Sequence, residues 1–173
     1  MQIIDVIRTR RSIRKYTAED VSDDIVRTLI DAARWAPSAG NLQPWDFIVI
    51  RVKETKKRLS KIAYDQQFII EAPVVIVACT NPMHSSSRYG LRGASLYCLM
   101  DVAFAIQNIL LTAHSLGLGT CVIGAFNEEE VKKILGIPDE CRPVAIVPVG
   151  YPAEDPKPPM RRTLTQIIHN ERF

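Results

Sequence analysis

The chain lacks most of the patterns that would name a chemistry outright. No Gly-x-Gly-x-x-Gly follows a strand pattern and no Gly-Lys-Ser/Thr occurs, so a dinucleotide fold is poorly supported and a P-loop is excluded. The four cysteines, Cys79, Cys98, Cys121 and Cys141, form no Cys-x-x-Cys pair, and His84 has no partner at metal-ligand spacing. No Ser/His/Asp set offers a nucleophile, and no metal site is expected. Long runs of one charge are also missing: net charge is +3, and acids are interleaved with bases through most of the chain. Tight nucleic-acid binding needs many distributed phosphate contacts, so nucleic acid is not an expected partner. The first residues, Met1 to Arg8, carry an early acid and no long apolar core, unlike a signal peptide or anchor. The longest apolar stretch, Leu96 to Leu118, is interrupted by Asp101, Gln107, Asn108 and His114, whose burial in lipid would be costly. No membrane partner and a reducing, cytoplasmic location are therefore expected.

One concentration of charge stands out. Between Arg8 and Tyr16, five of nine residues are cationic and Ser12 sits among them. Ile3, Ile4 and Ile7 share one face of a helix over residues 2–10, and arginines in its last turn suit the negative end of the helix dipole. That accounts for Arg8 and Arg10 but not for Arg11, Ser12 and Arg14, which run on past the helix end and point to a compact anion site. A second arginine pair, Arg161 and Arg162, follows a proline-stiffened tail; composition alone would make it a solvated terminus.

At 173 residues a single domain, 1–173, is expected. Ser22-Asp23-Asp24-Ile25 starts a helix that Pro37 ends, with Ile25, Leu29, Ala32 and Ala33 as its buried stripe. Residues 36–45 form a turn-rich loop whose Asn41 and Gln43 amides precede Pro44-Trp45; a connector and a site for a flat heterocycle are equally compatible with it. Strands are expected at 47–52, 73–79 and 143–151, a polar-faced helix at 53–63, and a short strand between Gly117 and Phe126. Residues 81–93 read as a loop, a candidate lid or variable insertion. Residues 96–116 form a helix apolar nearly all round, expected to be enclosed by protein on every side. Gly124-Ala125 leaves room for backbone to approach a ligand, and Asn127 with Glu130 reads as a capping box for a helix that Gly136 stops.

Taken in order, Arg10 to Tyr16, Ala36 to Trp45, Ala105 to Leu111 leading into Gly117 to Cys121, Val147 to Gly150 and Arg161-Arg162 resemble the nitroreductase-like FMN-dependent oxidoreductase family over nearly the whole chain. The resemblance implies an α+β fold with a mostly antiparallel sheet wrapped by helices, an obligate homodimer, and FMN sites between the subunits. It assigns Arg10, Arg11 and Ser12 to the flavin phosphate and ribityl chain, and Arg14 to the pyrimidine side of the ring. Ser38 and Asn41 match partner-subunit residues lining the flavin, Ile123 and Gly124 a backbone segment near the ring edge, and Arg161 or Arg162 the C-terminal phosphate contact. The implied activity is ping-pong hydride transfer from NADH or NADPH through FMN to a nitroaromatic, quinone or flavin. A dianionic phosphate is best met by forked guanidiniums and a hydroxyl, and the flavin itself carries the redox chemistry, so no protein acid/base pair is required. Alternatives are a non-catalytic flavin or nucleotide binding module, an anion-binding regulator, a thiol redox protein, or a family member that dehalogenates or cleaves flavin.

Overall fold

The computed structural model describes residues 2–173. Four strands make one antiparallel sheet in the order β1-β2-β4-β3, with β1 at Trp45–Ile50, β2 at Val74–Thr80, β3 at Gly119–Thr120 and β4 at Arg142–Gly150. Every residue of β2 is buried, as its continuous β-branched run requires of a strand covered on both faces. Alternate side chains point to opposite faces. Val74, Ile76 and Ala78 enter one core with Val147 and Val149, while Val75, Val77 and Cys79 enter the other with Ile146.

The first core is closed by α2 (Asp23–Arg34) and α6 (Cys98–Ser115). Ser22 caps α2 by accepting from Ile25 N–H, and Val26, Leu29 and Ala33 are its fully buried residues; Ile25 and Ala32 flank them half-buried. The second core is closed by α3 (Lys53–Ile62), α4 (Phe68–Glu71) and α7 (Glu128–Leu135). The capping box of α7 is half formed. Asn127 accepts from Glu130 N–H at 3.0 Å, but the Glu130 carboxylate pairs with Lys133 at 2.8 Å and Asn127 N–H bonds to the Ile62 carbonyl.

Two expectations need correction. Residues 81–93 are not a loop: α5 spans Pro82–Arg92 and continues through a π turn, Gly93–Tyr97, into α6. Asn81 caps it by accepting from Met83 N–H, Pro82 occupies the first turn where no N–H is needed, and Ser86 and Ser87 donate to carbonyls one turn back. The serines satisfy the helix instead of breaking it, and Gly90 at φ +56° supplies the kink. Secondly, α6 is not enclosed on every side: Val102, Ala105, Ile109 and Ala113 are buried, while Leu96 before it and Met100 and Phe104 on it remain exposed. In α1 (Ile3–Thr9) only Val6 is buried, and the apolar face of Ile3, Ile4 and Ile7 is open.

Pro82–Ser115 as a whole is long and apolar enough to cross a membrane by length and composition. It is kinked at Gly90, and its most apolar part packs on α2 and the sheet.

Candidate functional site

The basic cluster is held by the open edge of the sheet. α1 ends at Thr9 because Arg10 adopts ψ 132°, and the chain then runs extended beside β3. Ser12 bridges to Thr120 in parallel, Ile13 N–H donates to the Thr120 carbonyl at 2.9 Å, and Thr17 N–H to the Tyr151 carbonyl at 2.9 Å. A Cβ at Gly119 would lie 2.6 Å from the Ile13 side chain, so this close approach requires glycine. Beyond β4 the chain returns along the same segment, where Tyr16 bridges to Pro152 and Ala153 N–H donates to the Lys15 carbonyl at 2.9 Å. Glu154 accepts from Arg14 N–H at 2.5 Å. The stiff Pro156–Pro159 stretch then carries Lys157 and Arg161 over the cluster.

The result is a recess of about 410 Å³ lined by Arg10, Arg11, Ser12, Arg14, Lys157 and Arg161 together with Pro156 and Pro159. Among the described residues, none of these cationic side chains forms an ion pair with a carboxylate. Burial, Arg161 and Arg11 together hold the Arg10 guanidinium below its ordinary pKa, the mark of cations crowded without a counter-charge. Arg11 turns its Nη1 back onto the Arg8 and Arg10 carbonyls, both at 2.8 Å, and so also closes the C-terminal end of α1. Arg162 leaves the recess and donates to the Gln166 carbonyl. Next to the recess, Thr9 gives its hydroxyl proton to the Asp5 carbonyl, so His114 Nε2 is the donor in its 2.8 Å bond to Thr9 Oγ1. Burial, Arg10 and Arg11 lower the His114 pKa, which favours this neutral ring.

Cys121 lies against this group, near Ser12, Arg14 and Arg10. Sequence neighbours show no cation beside it; the fold does. Burial nevertheless dominates and pushes the thiol up, so it behaves as a buried core thiol.

The structure does not bring Ser38, Asn41, Ile123 or Gly124 into the arginine recess. Ser38 lines a second hollow of about 310 Å³ with Pro37, Ala39, Tyr97, Met100, Asp101 and Phe104, while Asn41 lines a neighbouring one with Arg34, Trp35 and Gln43. Their loop is strained: Gly40, Asn41 and Gln43 all have positive φ, 59°, 56° and 47°, a conformation that non-glycine residues hold only when their surroundings over-determine it. Here Ser38 Oγ accepts from Gln43 N–H at 3.0 Å, Gln43 Nε2 donates to Asn41, and Asp101 Oδ1 accepts from Ala39 N–H at 3.1 Å. The other carboxylate oxygen of Asp101 is buried with no protein partner, and burial raises its pKa. Ile123 is buried and pairs with Ile146 on β4, whereas Gly124 is exposed with open space where a Cβ would stand.

Lys157 and Asp101 are residues that sequence reasoning passed over. A lone acid inside an otherwise apolar helix was the available signal for Asp101. Lys157 carried none, because only the return of the tail places it. Among the described residues, no group of three or more His, Cys, Asp or Glu is placed to hold a metal ion.

The profile of the Nitroreductase family matches residues 7–69 and 62–151. A putative NADH dehydrogenase/NAD(P)H nitroreductase of Methanothermobacter thermautotrophicus is 36% identical over 160 residues, covering 90% of this chain and 80% of the relative. Among solved structures, B. megaterium NfrA2 superposes with a TM-score of 0.92 at 31% identity, over 100% of this chain and 76% of that one. The NADPH:FMN oxidoreductase of Vibrio harveyi, complexed with NAD+, superposes with a TM-score of 0.90 at 26% identity, over 99% and 77%. With a family profile spanning most of its length and relatives this similar over nearly all of it, the chain belongs to the nitroreductase family.

Proposed function

We propose that this chain is an NAD(P)H-dependent flavin oxidoreductase that holds FMN and reduces small acceptors. The observation that carries the reading is the arginine recess: two stretches from opposite ends of the chain deliver guanidiniums, a lysine and a hydroxyl to one place, and among the described residues none of these cationic side chains forms an ion pair. That donor set fits a phosphate dianion with an attached polyol, so the residues present fit FMN.

Arg10, Arg161 and Lys157 would meet the phosphate, with Ser12 beside the ribityl chain and Arg11 dividing its donors between ligand and helix end. Arg14 takes the pyrimidine side, where its fixed charge would stabilise negative charge on the reduced ring. When bound, FMN supplies a two-electron store that accepts hydride from NAD(P)H and passes electrons to a nitroaromatic, quinone or free flavin in ping-pong order. For a nitroarene the balance is nitroarene, NAD(P)H and one proton giving nitrosoarene, NAD(P)+ and water. No side chain of this protein needs to form a covalent bond or relay a proton for that exchange.

The ring would be completed by a second copy of the chain. Ser38 and Asn41 lie outside the arginine recess of their own chain, and the apolar face of Ile3, Ile4 and Ile7 on α1 is exposed. A homodimer with each flavin between subunits reconciles both facts. A cytoplasmic location accords with four free cysteines.

The test is a spectrum of the purified protein followed by anaerobic titration with NADH and NADPH, then with acceptors. The expected result is a yellow protein, with a sedimentation mass twice 19.4 kDa, that bleaches on reduction and recovers with a nitroarene or quinone. A colourless protein that gains no ring absorbance with added FMN overturns the reading. A bound flavin that neither nicotinamide reduces would make the chain a binding module instead.

A further inference from the structure

The segment from Asn81 to Met100 contains two arginines and two tyrosines and not one Asp or Glu. Folded, these residues form one group. Tyr89 and Tyr97 meet edge to face with ring centroids 5.3 Å apart, the Arg88 guanidinium lies 5.6 Å from the Tyr89 centroid, and Arg92 lies 5.4 Å from that of Tyr97 while donating to its hydroxyl at 3.1 Å. Both arginines are exposed, and among the described residues neither pairs with a carboxylate. An arginine pair with no acid to satisfy it, spread on aromatic faces, is a pre-formed but unspent anion site.

Its position gives it a role. Tyr97 is part of the wall of the apolar hollow that holds Ser38, Met100 and Phe104, and the Arg88 guanidinium and Tyr89 hydroxyl approach Gly40 so closely that a Cβ there would stand 2.8 Å from each. The cationic group therefore sits at the rim of a hollow whose walls suit a flat ring. A π turn, Gly93–Tyr97, joins the helix that carries Arg88 and Arg92 to Tyr97 in the wall of the hollow, a local distortion of the kind that recurs at functional sites. The one acid lining the hollow, Asp101, is buried and spends one carboxylate oxygen on Ala39 N–H, and it forms no ion pair with Arg88 or Arg92.

We propose that Arg88 and Arg92 make this rim a selector for acceptors that are flat, aromatic and anionic over neutral acceptors of the same size. The inference rests on the oxidoreductase reading for the word acceptor, but the binding preference stands or falls separately. The same chemistry could be offered by the phosphates of the nicotinamide donor, so the test separates the two.

The probes are 4-nitrobenzoate and 4-nitrobenzamide, matched in shape and differing in charge. Their dissociation constants for the flavin-loaded protein are measured by calorimetry, and their turnover by kcat/KM, for the parent protein, Arg88→Gln, Arg92→Gln and the double variant. Two exposed charges acting together should favour the benzoate about five- to ten-fold. That preference should fall to about two-fold or less in the double variant and shrink in 0.5 M salt as screening shortens. FMN content and the rate of flavin reduction by NADH and NADPH should stay unchanged in all variants. A parent protein that binds both probes equally, or a double variant that keeps the full preference, overturns the proposal. So does a double variant slowed in reduction by NADH or NADPH with the probe ratio intact, which assigns the arginines to the donor. If binding shows the preference and yet no nicotinamide reduces the flavin, the selector stands and the oxidoreductase reading falls.

Discussion

The two hollows of this chain are opposites in construction. The arginine recess is polar, assembled from both chain ends, and held by backbone bonds to a sheet edge: Ser12 on Thr120, Thr17 on Tyr151, Ala153 on Lys15. The hollow at Ser38 is apolar, made by a strained loop on two successive helical turns, and held by a single buried carboxylate on Ala39. The first gathers like charges and needs a rigid frame to keep them together against their repulsion. The second gathers apolar walls, which associate without a frame, and instead stores strain in the backbone. One protein thus prepares for the charged and the flat parts of a ligand by different physics, and substitutions should separate them.

The largest effect is expected where the frame itself is touched. Gly119→Val places side-chain atoms inside Ile13, and should destabilise the fold by about 2 kcal/mol and disperse the arginine recess. Thermal melting and the FMN content of the purified variant measure it; unchanged FMN content would mean the sheet edge does not hold the recess. Next comes the recess proper. Arg10→Ala should weaken FMN retention roughly 10- to 100-fold, the range for lost hydrogen bonds to a charged group, while Arg162→Ala, whose guanidinium is turned to Gln166, should leave it within about two-fold. By contrast Arg14→Ala should keep FMN and slow its reduction by NADH about ten-fold. Identical effects of Arg10→Ala and Arg14→Ala would remove the division between phosphate and ring.

A smaller effect, with a sign of its own, is expected in the apolar hollow. The Asp101 pKa is raised by burial, so ionisation weakens the folded state progressively as pH climbs from the unfolded value towards the folded one. Asp101→Asn keeps an acceptor for Ala39 N–H and removes the charge. It should stabilise the protein by up to about 1 kcal/mol at pH 8, with the gain vanishing below roughly pH 4. Melting curves at the two pH values decide it, and a variant less stable at pH 8 would show that the ionised carboxylate is held by a partner. Smallest of all, Cys121→Ser should change FMN content and turnover by less than about two-fold, since burial keeps the thiol protonated despite Arg14 and Arg10.

Much of this was legible in the residues. The β-branched run of β2, the Ser22 cap, the left-handed stop at Gly136 and the basic run past the end of α1 are local signals, and each element formed within a few residues of its expected place. The failures share a cause. Ser86 and Ser87 resemble loop residues in a sequence, but their hydroxyls fold back on the preceding turn of α5, and nothing short of the helix itself shows that. The open faces of α1 and α6 follow apolar spacing perfectly well; spacing says that a face is apolar, not what covers it.

By itself, then, the sequence determined most of the elements, the family and the supply of arginines, because caps, periodicity and motif order are properties of neighbouring residues. Tertiary structure alone decided which arginines meet. Arg161 joins Arg10 and Arg162 does not, since the register of Tyr16 on Pro152 sets where the stiff tail passes; Ser38 and Asn41 fall into separate hollows because the loop turns left-handed at Gly40 and Asn41. Juxtapositions of this kind depend on backbone hydrogen bonds between distant segments, and those bonds form with any side chains that fit, so they leave no local trace.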